Sequence, residues 1–146
     1  MKTRLVLLVA IVSTLMGLFA CTQAAPQAVT VEESTDDITK SSTITKQTEV
    51  ANGGTVTVIL ASNTASTGFS WNAQAQIADT SILEQTNHET IAPTAGIPGA
   101  PGKDQWSFKA LKNGTTTVHM EYSQPWEGGQ KGVWKFTLTV TVESVE

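Results

Sequence analysis

A chain of 146 residues with a formal charge of −4, built from 40% apolar and only 15% charged residues, suits one folded domain rather than two and is too apolar to remain unfolded. Nine basic residues against 13 acidic ones leave no clustered positive surface for phosphate, which excludes nucleic acid as a partner. One cysteine forbids an internal disulfide, and two histidines, His88 and His119, are too few for a His-rich metal centre or for most triad chemistries, so no metal and no cofactor are expected.

Residues 1–20 read as an export signal. Lys2 and Arg4 form the positive end, and Leu5 to Phe19 form an apolar run broken mildly by Ser13, Thr14 and Gly17, short of the roughly 20 residues a membrane span needs. Ala20 then precedes the sole cysteine. Leu18-Phe19-Ala20-Cys21 resembles the bacterial lipoprotein processing box, although Phe19 departs from the small residue usual there. That resemblance implies a lipid on Cys21, which would hold an exported domain at the bacterial cell envelope, outside the cytoplasm. With Lys2 and Arg4 removed, 7 Lys and no Arg would face 13 acids. Residues 21–42 are polar, with acidic pairs at Glu32-Glu33 and Asp36-Asp37 and no persistent period. They are expected to be a lipidated cysteine followed by a flexible, self-repelling tether.

The folded body is expected at 43–146 and to be all-β. Val56, Val58 and Leu60 open the period-2 alternation. Phe69 to Gln76 and Ser81 to Ile91 are weaker strands. Trp106, Phe108 and Ala110 follow, then Thr116, Val118, Met120 and Tyr122. The last strand is the clearest, with Trp134, Phe136, Leu138, Val140 and Val142 alternating with Lys135 and three threonines. Asn52-Gly53-Gly54 and Asn113-Gly114 are two-residue turn chemistry, the second read as a hairpin turn although Thr115 completes a glycosylation sequon. No stretch keeps a helical period and no internal repeat is visible. Short strands with turns at near-regular spacing indicate an immunoglobulin-like antiparallel β-sandwich of about seven to eight strands. His119 is expected to face solvent and Trp71 to lie in the core.

Three loops carry unusual chemistry. The first, Thr64-Ala65-Ser66-Thr67-Gly68-Phe69-Ser70-Trp71, is hydroxyl-rich and ends in a glycine and two aromatics. The second, Gly96-Ile97-Pro98-Gly99-Ala100-Pro101-Gly102, is all Gly, Pro and small apolar residues. The third runs Tyr122-Ser123-Gln124-Pro125-Trp126-Glu127-Gly128-Gly129. Trp126 follows a proline and has no evident place in the core. Such a ring is pre-positioned, and burying its about 150–250 Å² has an upper bound of roughly 4–6 kcal/mol.

In this order the three segments resemble the chagasin family of inhibitors of papain-like cysteine peptidases. Ser66, Thr67, Gly68, Phe69 and Trp71 match the family's first loop, Asn-Pro-Thr-Thr-Gly-Tyr/Phe and a nearby Trp, with Thr64 and Ala65 in place of Asn and Pro. Gly99, Ala100 and Gly102 match Gly-X-Gly-Gly, with Pro101 departing. Pro125 and Trp126 match Arg-Pro-Trp/Phe, with Gln124 for Arg. The likeness runs from about Gly53 to Val145. It implies an immunoglobulin-like sandwich that works as a monomer, without chemistry of its own, plugging a peptidase cleft with Thr64–Phe69, Gly99–Gly102 and Gln124–Trp126. Gly68 would let backbone approach a narrow nucleophile site. Pro101 cannot adopt positive φ, so the second loop is expected to take a different path.

Two other readings use the same residues. One is a membrane-tethered adhesion or carbohydrate-binding module that stacks sugars on Trp126. The other is a hydrolase with Ser66 or Ser123 as nucleophile, but neither serine lies in an elbow motif and no His–acid partner is suggested by the pattern.

Overall fold

The computed structural model describes residues 24–93, 97 and 99–145. Among these residues nine strands form two packed sheets: β1 (Ala28–Glu33), β2 (Thr43–Ala51), β3 (Thr55–Ser62), β4 (Ser70–Trp71), β5 (Gln76–Ile77), β6 (Leu83–Ile91), β7 (Gly102–Ala110), β8 (Gly114–Ser123) and β9 (Trp134–Glu143). One sheet has the order β1-β3-β7-β6, the other β2-β9-β8-β4, with β5 also on β8. This is the all-β, immunoglobulin-like sandwich. Most pairs are antiparallel, but β1 runs parallel to β3 and β2 parallel to β9.

The alternation builds the core. Phe136, Leu138, Val140 and Val142 of β9 point inward beside Met120 and Val118 of β8. Across the interior, Val56, Val58 and Leu60 of β3 lie beside Phe108 and Trp106 of β7. All of them are buried, and fully burying each large apolar side chain is worth roughly 1.5–3 kcal/mol. Trp71 is in the core and donates its indole N–H to the Ala61 carbonyl at 3.0 Å. His119 is half-buried on the outer side of β8, between Thr137 and Glu121.

The structure departs from the sequence reading in four places. Residues 28–42 are not a loose tether: the sandwich begins at Ala28, ahead of the expected start at 43. β1 pairs with β3 over six residues, packs Val29 and Val31 on the core, and buries Glu33 against Lys46 of β2 at 2.7 Å. A short helix, α1 (Thr35–Lys40), follows. Its Ser34 side chain receives the Asp37 backbone N–H while the Asp37 carboxylate receives the Ser34 N–H, a reciprocal cap. The Ser34 hydroxyl, donating to the Asp37 carboxylate at 2.6 Å, and then the Ser34 backbone N–H hold that carboxyl below the usual aspartate range.

Asn113-Gly114 is not a hairpin turn, and the turn at Asn52-Gly53-Gly54 is of the same kind. Each passes the chain from one sheet to the other, β2 to β3 and β7 to β8. The expected strand Phe69–Gln76 is broken into β4 and β5, with the Asn72 side chain accepting the Glu121 N–H at 2.6 Å across the gap. Finally, two helices exist among the described residues where none was expected. α1 and α2 (Thr64–Thr67) have six and four residues, too few for a period of 3.6 to register.

Register fixes the two ends of the molecule. β3 runs from Thr55, opposite Lys109, to Ser62, opposite Gly102. The Ser62 end therefore collects α1, the connection from β3 to β4, that from β6 to β7 and that from β8 to β9. The Thr55 end collects the start of β1 and the turns after β2, β5 and β7.

Candidate functional site

The first loop is a closed helical turn. Asn63 precedes it, and its carbonyl accepts the N–H groups of Ser66 and Thr67 and the Thr67 hydroxyl, the last at 2.7 Å. Gly68 ends the turn at φ 72°, a left-handed position that glycine adopts without strain, and its N–H returns to the Thr64 carbonyl at 2.9 Å. Thr64, Ala65, Ser66 and Thr67 are exposed, with Thr64 Oγ1 3.2 Å from Ser62 Oγ. Phe69 is half-buried and stacks on Tyr122 at 5.8 Å; Tyr122 stacks in turn on Trp134 at 5.0 Å. The turn thus sits on an aromatic column rooted in the core. The buried Tyr122 hydroxyl fastens it by accepting the Asn63 N–H at 3.0 Å.

The second loop stands beside it. Ala100 N–H donates to the Ile97 carbonyl at 3.2 Å, and Gly99 takes the positive φ, 77°. Positive φ therefore falls two residues ahead of the exposed Pro101. Gly102 opens β7 so close to the Ile91 carbonyl that a Cβ would lie 2.5 Å from it. Ile97 is 70% exposed, and Ala100 is half-buried. Gly96 and Pro98 lie outside the described residues. Asn63 Nδ2 donates to the Gly99 carbonyl at 3.3 Å, tying the first loop to the second.

The third loop closes on itself. Gln124 N–H donates to the Gln130 carbonyl, and Gln124 Oε1 accepts the Gln130 N–H at 3.0 Å. The Lys131 ammonium donates to the carbonyls of Gln124 and Trp126. Pro125 and Trp126 project from this frame, with Trp126 half exposed. One edge of the Trp126 ring lies over the first loop: a Cβ on Gly68 would be 2.8 Å from Trp126 Cη2. The other lies over Gly129, where a Cβ would be 3.0 Å from Nε1.

The three expected segments therefore meet at one end, the first loop in the middle and the others on its flanks. Gly68 was expected for close approach to a partner. In the free protein it already has two internal roles, terminating the turn and admitting the Trp126 ring. Residues to which the sequence reading gave no role fasten the loops: Asn63 and Lys131, outside the three segments, and Tyr122 and Gly129, at the two ends of the third. Asn63 alone carried a signal, since an asparagine before a hydroxyl-rich run is helix-start chemistry. Cys21 lies outside the described residues.

The end has the chemistry of a contact surface. Ser123 Oγ accepts the Gly132 N–H, while His88 is engaged with Asp104, and His119 with Thr137 and Glu121. Among the described residues no histidine hydrogen-bonds Ser66 or Ser123, and no three His, Cys, Asp or Glu side chains form a metal-binding group.

Comparison with known proteins gives the family and the fold. Residues 49–140 match the family described as chagasin family peptidase inhibitor I42. Amoebiasin-2 of Entamoeba histolytica is 35% identical over 77 residues, 53% of this chain and 62% of that protein, so the match spans less than two thirds of the relative. The crystal structure of the cysteine protease inhibitor EhICP2 from Entamoeba histolytica superposes with a TM-score of 0.61 at 23% identity, covering 81% of this chain and 99% of that one. PbICP-C, whose structure was determined in complex with falcipain-2, gives a TM-score of 0.55 at 14% identity, covering 79% and 98%. At these identities the two structures establish the shared fold.

Proposed function

The chain belongs to the chagasin family of peptidase inhibitors and is not an enzyme, and we propose that it inhibits papain-like cysteine peptidases, reversibly and non-covalently, by filling the active-site cleft with its three loops. The observation that supports this reading is the convergence of the loops, with Trp126 seated on Gly68 and Asn63 bonded to Gly99.

In this mechanism the Thr64–Phe69 turn enters the catalytic centre. Gly99–Gly102 and Gln124–Trp126 grip the walls on either side. A peptidase cleaves a chain it can hold extended, whereas Thr64–Gly68 is locked as a helical turn by its own hydrogen bonds. The carbonyl nearest the nucleophile is then kept from the angle of attack that cleavage needs. The described residues of the three loops are hydrogen-bonded before binding, so little of their conformational freedom is lost on docking and the contact area is retained as affinity. Trp126, half exposed, supplies a large apolar contact.

The motif departures fit this scheme. Gln124 in place of arginine removes a charge and instead closes the third loop through its amide oxygen. Ala65 in place of proline gives up preorganisation of about 0.4–1 kcal/mol. Weaker affinity or an altered choice of peptidase is the expected consequence.

The Leu18–Cys21 sequence supports export and lipid attachment at Cys21, which would carry the domain on a membrane at a bacterial cell envelope. Cys21→Ser should move the protein from the membrane fraction to the soluble one, and persistence in the membrane would overturn the assignment.

The inhibition itself is tested with the purified protein. It should slow hydrolysis of a fluorogenic peptide by papain or a cathepsin L-type enzyme at sub-micromolar concentration. Trp126→Ala should raise the inhibition constant at least tenfold, about 1.4 kcal/mol. If micromolar protein leaves every such enzyme at full rate, the proposal fails.

A further inference from the structure

The segment that precedes the family-matched stretch reaches the loop end. Ile38 is the one buried residue of α1, at 1% exposure, and α1 packs on β3. The Ile38 side chain borders a small cavity of about 110 Å³ shared with Ala61, Asn63, Thr67, Pro101 and Trp134. Those neighbours are the end of β3, the first loop, the foot of the second loop and the start of β9. One side chain from outside residues 49–140 therefore lies beneath two of the three loops.

The segment is clamped where this matters. Glu33, just ahead of α1, is 5% exposed and paired with Lys46 of β2. Glu32 pairs with Lys103 at the start of β7, where the second loop ends. The Ser34–Asp37 cap then fixes the turn that presents Ile38.

We propose that Ile38 is a positioning residue for the first and second loops, so that inhibition depends on β1 and α1 as well as on the three loop motifs; this rests on the inhibitor reading above. The hydrogen bonds inside the first loop keep its shape but do not fix where it sits. From below it is held by the Tyr122 hydroxyl on one side, and on the other it faces Ile38 across the small cavity. The Asn63–Gly99 bond makes any shift of the first loop a shift of the second. Shortening Ile38 enlarges a cavity that the loops can partly collapse into, which alters their geometry as well as their stability.

The test compares Ile38→Ala with Leu83→Ala, an equally buried truncation at the opposite end, where Leu83 pairs with Ala110. Two readouts are taken: inhibition of papain, and amide hydrogen exchange of Thr67 and Gly68 in the free protein. Ile38→Ala should raise the inhibition constant about tenfold and speed exchange at Thr67 and Gly68 by a similar factor. Leu83→Ala should lower the unfolding temperature comparably, yet leave the inhibition constant within about twofold and those two amides unchanged. Ile38→Leu should restore most of the inhibition. Should Ile38→Ala not fold, Ile38→Val carries the same pattern at about two- to threefold. Wild-type exchange at Thr67 and Gly68 in a folded Ile38 variant, or equal loss of inhibition in Leu83→Ala, overturns the proposal. If the wild-type protein leaves papain untouched, the inhibitor reading fails separately, and the exchange comparison still decides what Ile38 does.

Discussion

The two ends of the sandwich satisfy their polar groups in different ways. At the Thr55 end the turns are stitched to one another: Asn52 N–H to the Glu143 carbonyl at 2.7 Å, Gly53 N–H to Ala110 at 3.0 Å, the Asn52 amide to Asn113 at 3.1 Å, and Asn113 onward to Ser144. The bonds run sideways between turns, and the turns are short. At the loop end bonds run downward, from Asn63 to Tyr122, or stay within one loop, as between Gln124 and Gln130, with a side-chain tie from Asn63 to Gly99 between loops. That leaves Ile97 and Trp126 facing outward. A surface that must meet another protein keeps its apolar groups free, and its stiffness has to come from beneath.

Substitutions at the two ends should therefore separate stability from inhibition. Gly68→Ala should have the largest effect. It forces an L-residue to φ 72°, costing about 1–2 kcal/mol, and drives a methyl into the Trp126 ring. Displacing both loops should weaken papain inhibition about a hundredfold, equivalent to about 2.7 kcal/mol, measured as the inhibition constant. Tyr122→Phe comes next. It keeps the aromatic column but leaves the Asn63 N–H without its acceptor, so urea denaturation should show a loss of about 1 kcal/mol and the inhibition constant should rise about threefold.

Asn52→Ala should break the comparison if it is wrong. It removes a side-chain bond at the stitched end, so the unfolding free energy should fall by about 0.5–1 kcal/mol while inhibition stays within about twofold. A matching loss of inhibition would mean that the ends are not independent.

The smallest effect is on acidification. Each end has an aspartate held below its ordinary range by serine hydrogen bonds, Asp37 by Ser34 and Asp79 by Ser81. A depressed carboxylate stabilises the fold above its ordinary pKa, and that contribution disappears as pH falls through the lowered value. Below about pH 4 both the Asp37 cap and the Asp79–Ser81 turn should loosen. Only loss of the Asp37 cap should speed amide exchange at Ile38, and Ser34→Ala should remove that pH dependence.

How much of this was legible follows from what each feature needs in order to be written in sequence. β9, β8, β7 and β3 repeat every two residues over a full strand, so their inward faces could be named residue by residue. β1 could not. It is a six-residue edge strand with only Val29 and Val31 turned to the core, and the acidic pair at its end reads as a solvated run until Lys46 is seen beside Glu33. The Ser34–Asp37 spacing was a readable cap, but the helix behind it holds one apolar residue.

Turn chemistry at Asn52 and Asn113 reported correctly that the chain bends there. It carried no information on which sheet the next strand joins, because partner choice depends on contacts distant in sequence. At the loop end, Gly68, Gly99, Pro125 and Trp126 stood out by type and order. Their supports did not, since a tyrosine at a strand end and an isoleucine in a polar segment acquire their roles only from what folds over them.

The direction of β1 has one more consequence. Ala28 lies opposite Thr55, and Ala51 and Thr55 bond back to the carbonyls of Pro26 and Gln27, so the chain enters the domain at the pole remote from Trp126. With a lipid at Cys21, as proposed, the leash would be attached at the rear. The molecule would then stand on its membrane with the gripping end outermost, free to meet peptidases arriving from the medium without turning over first.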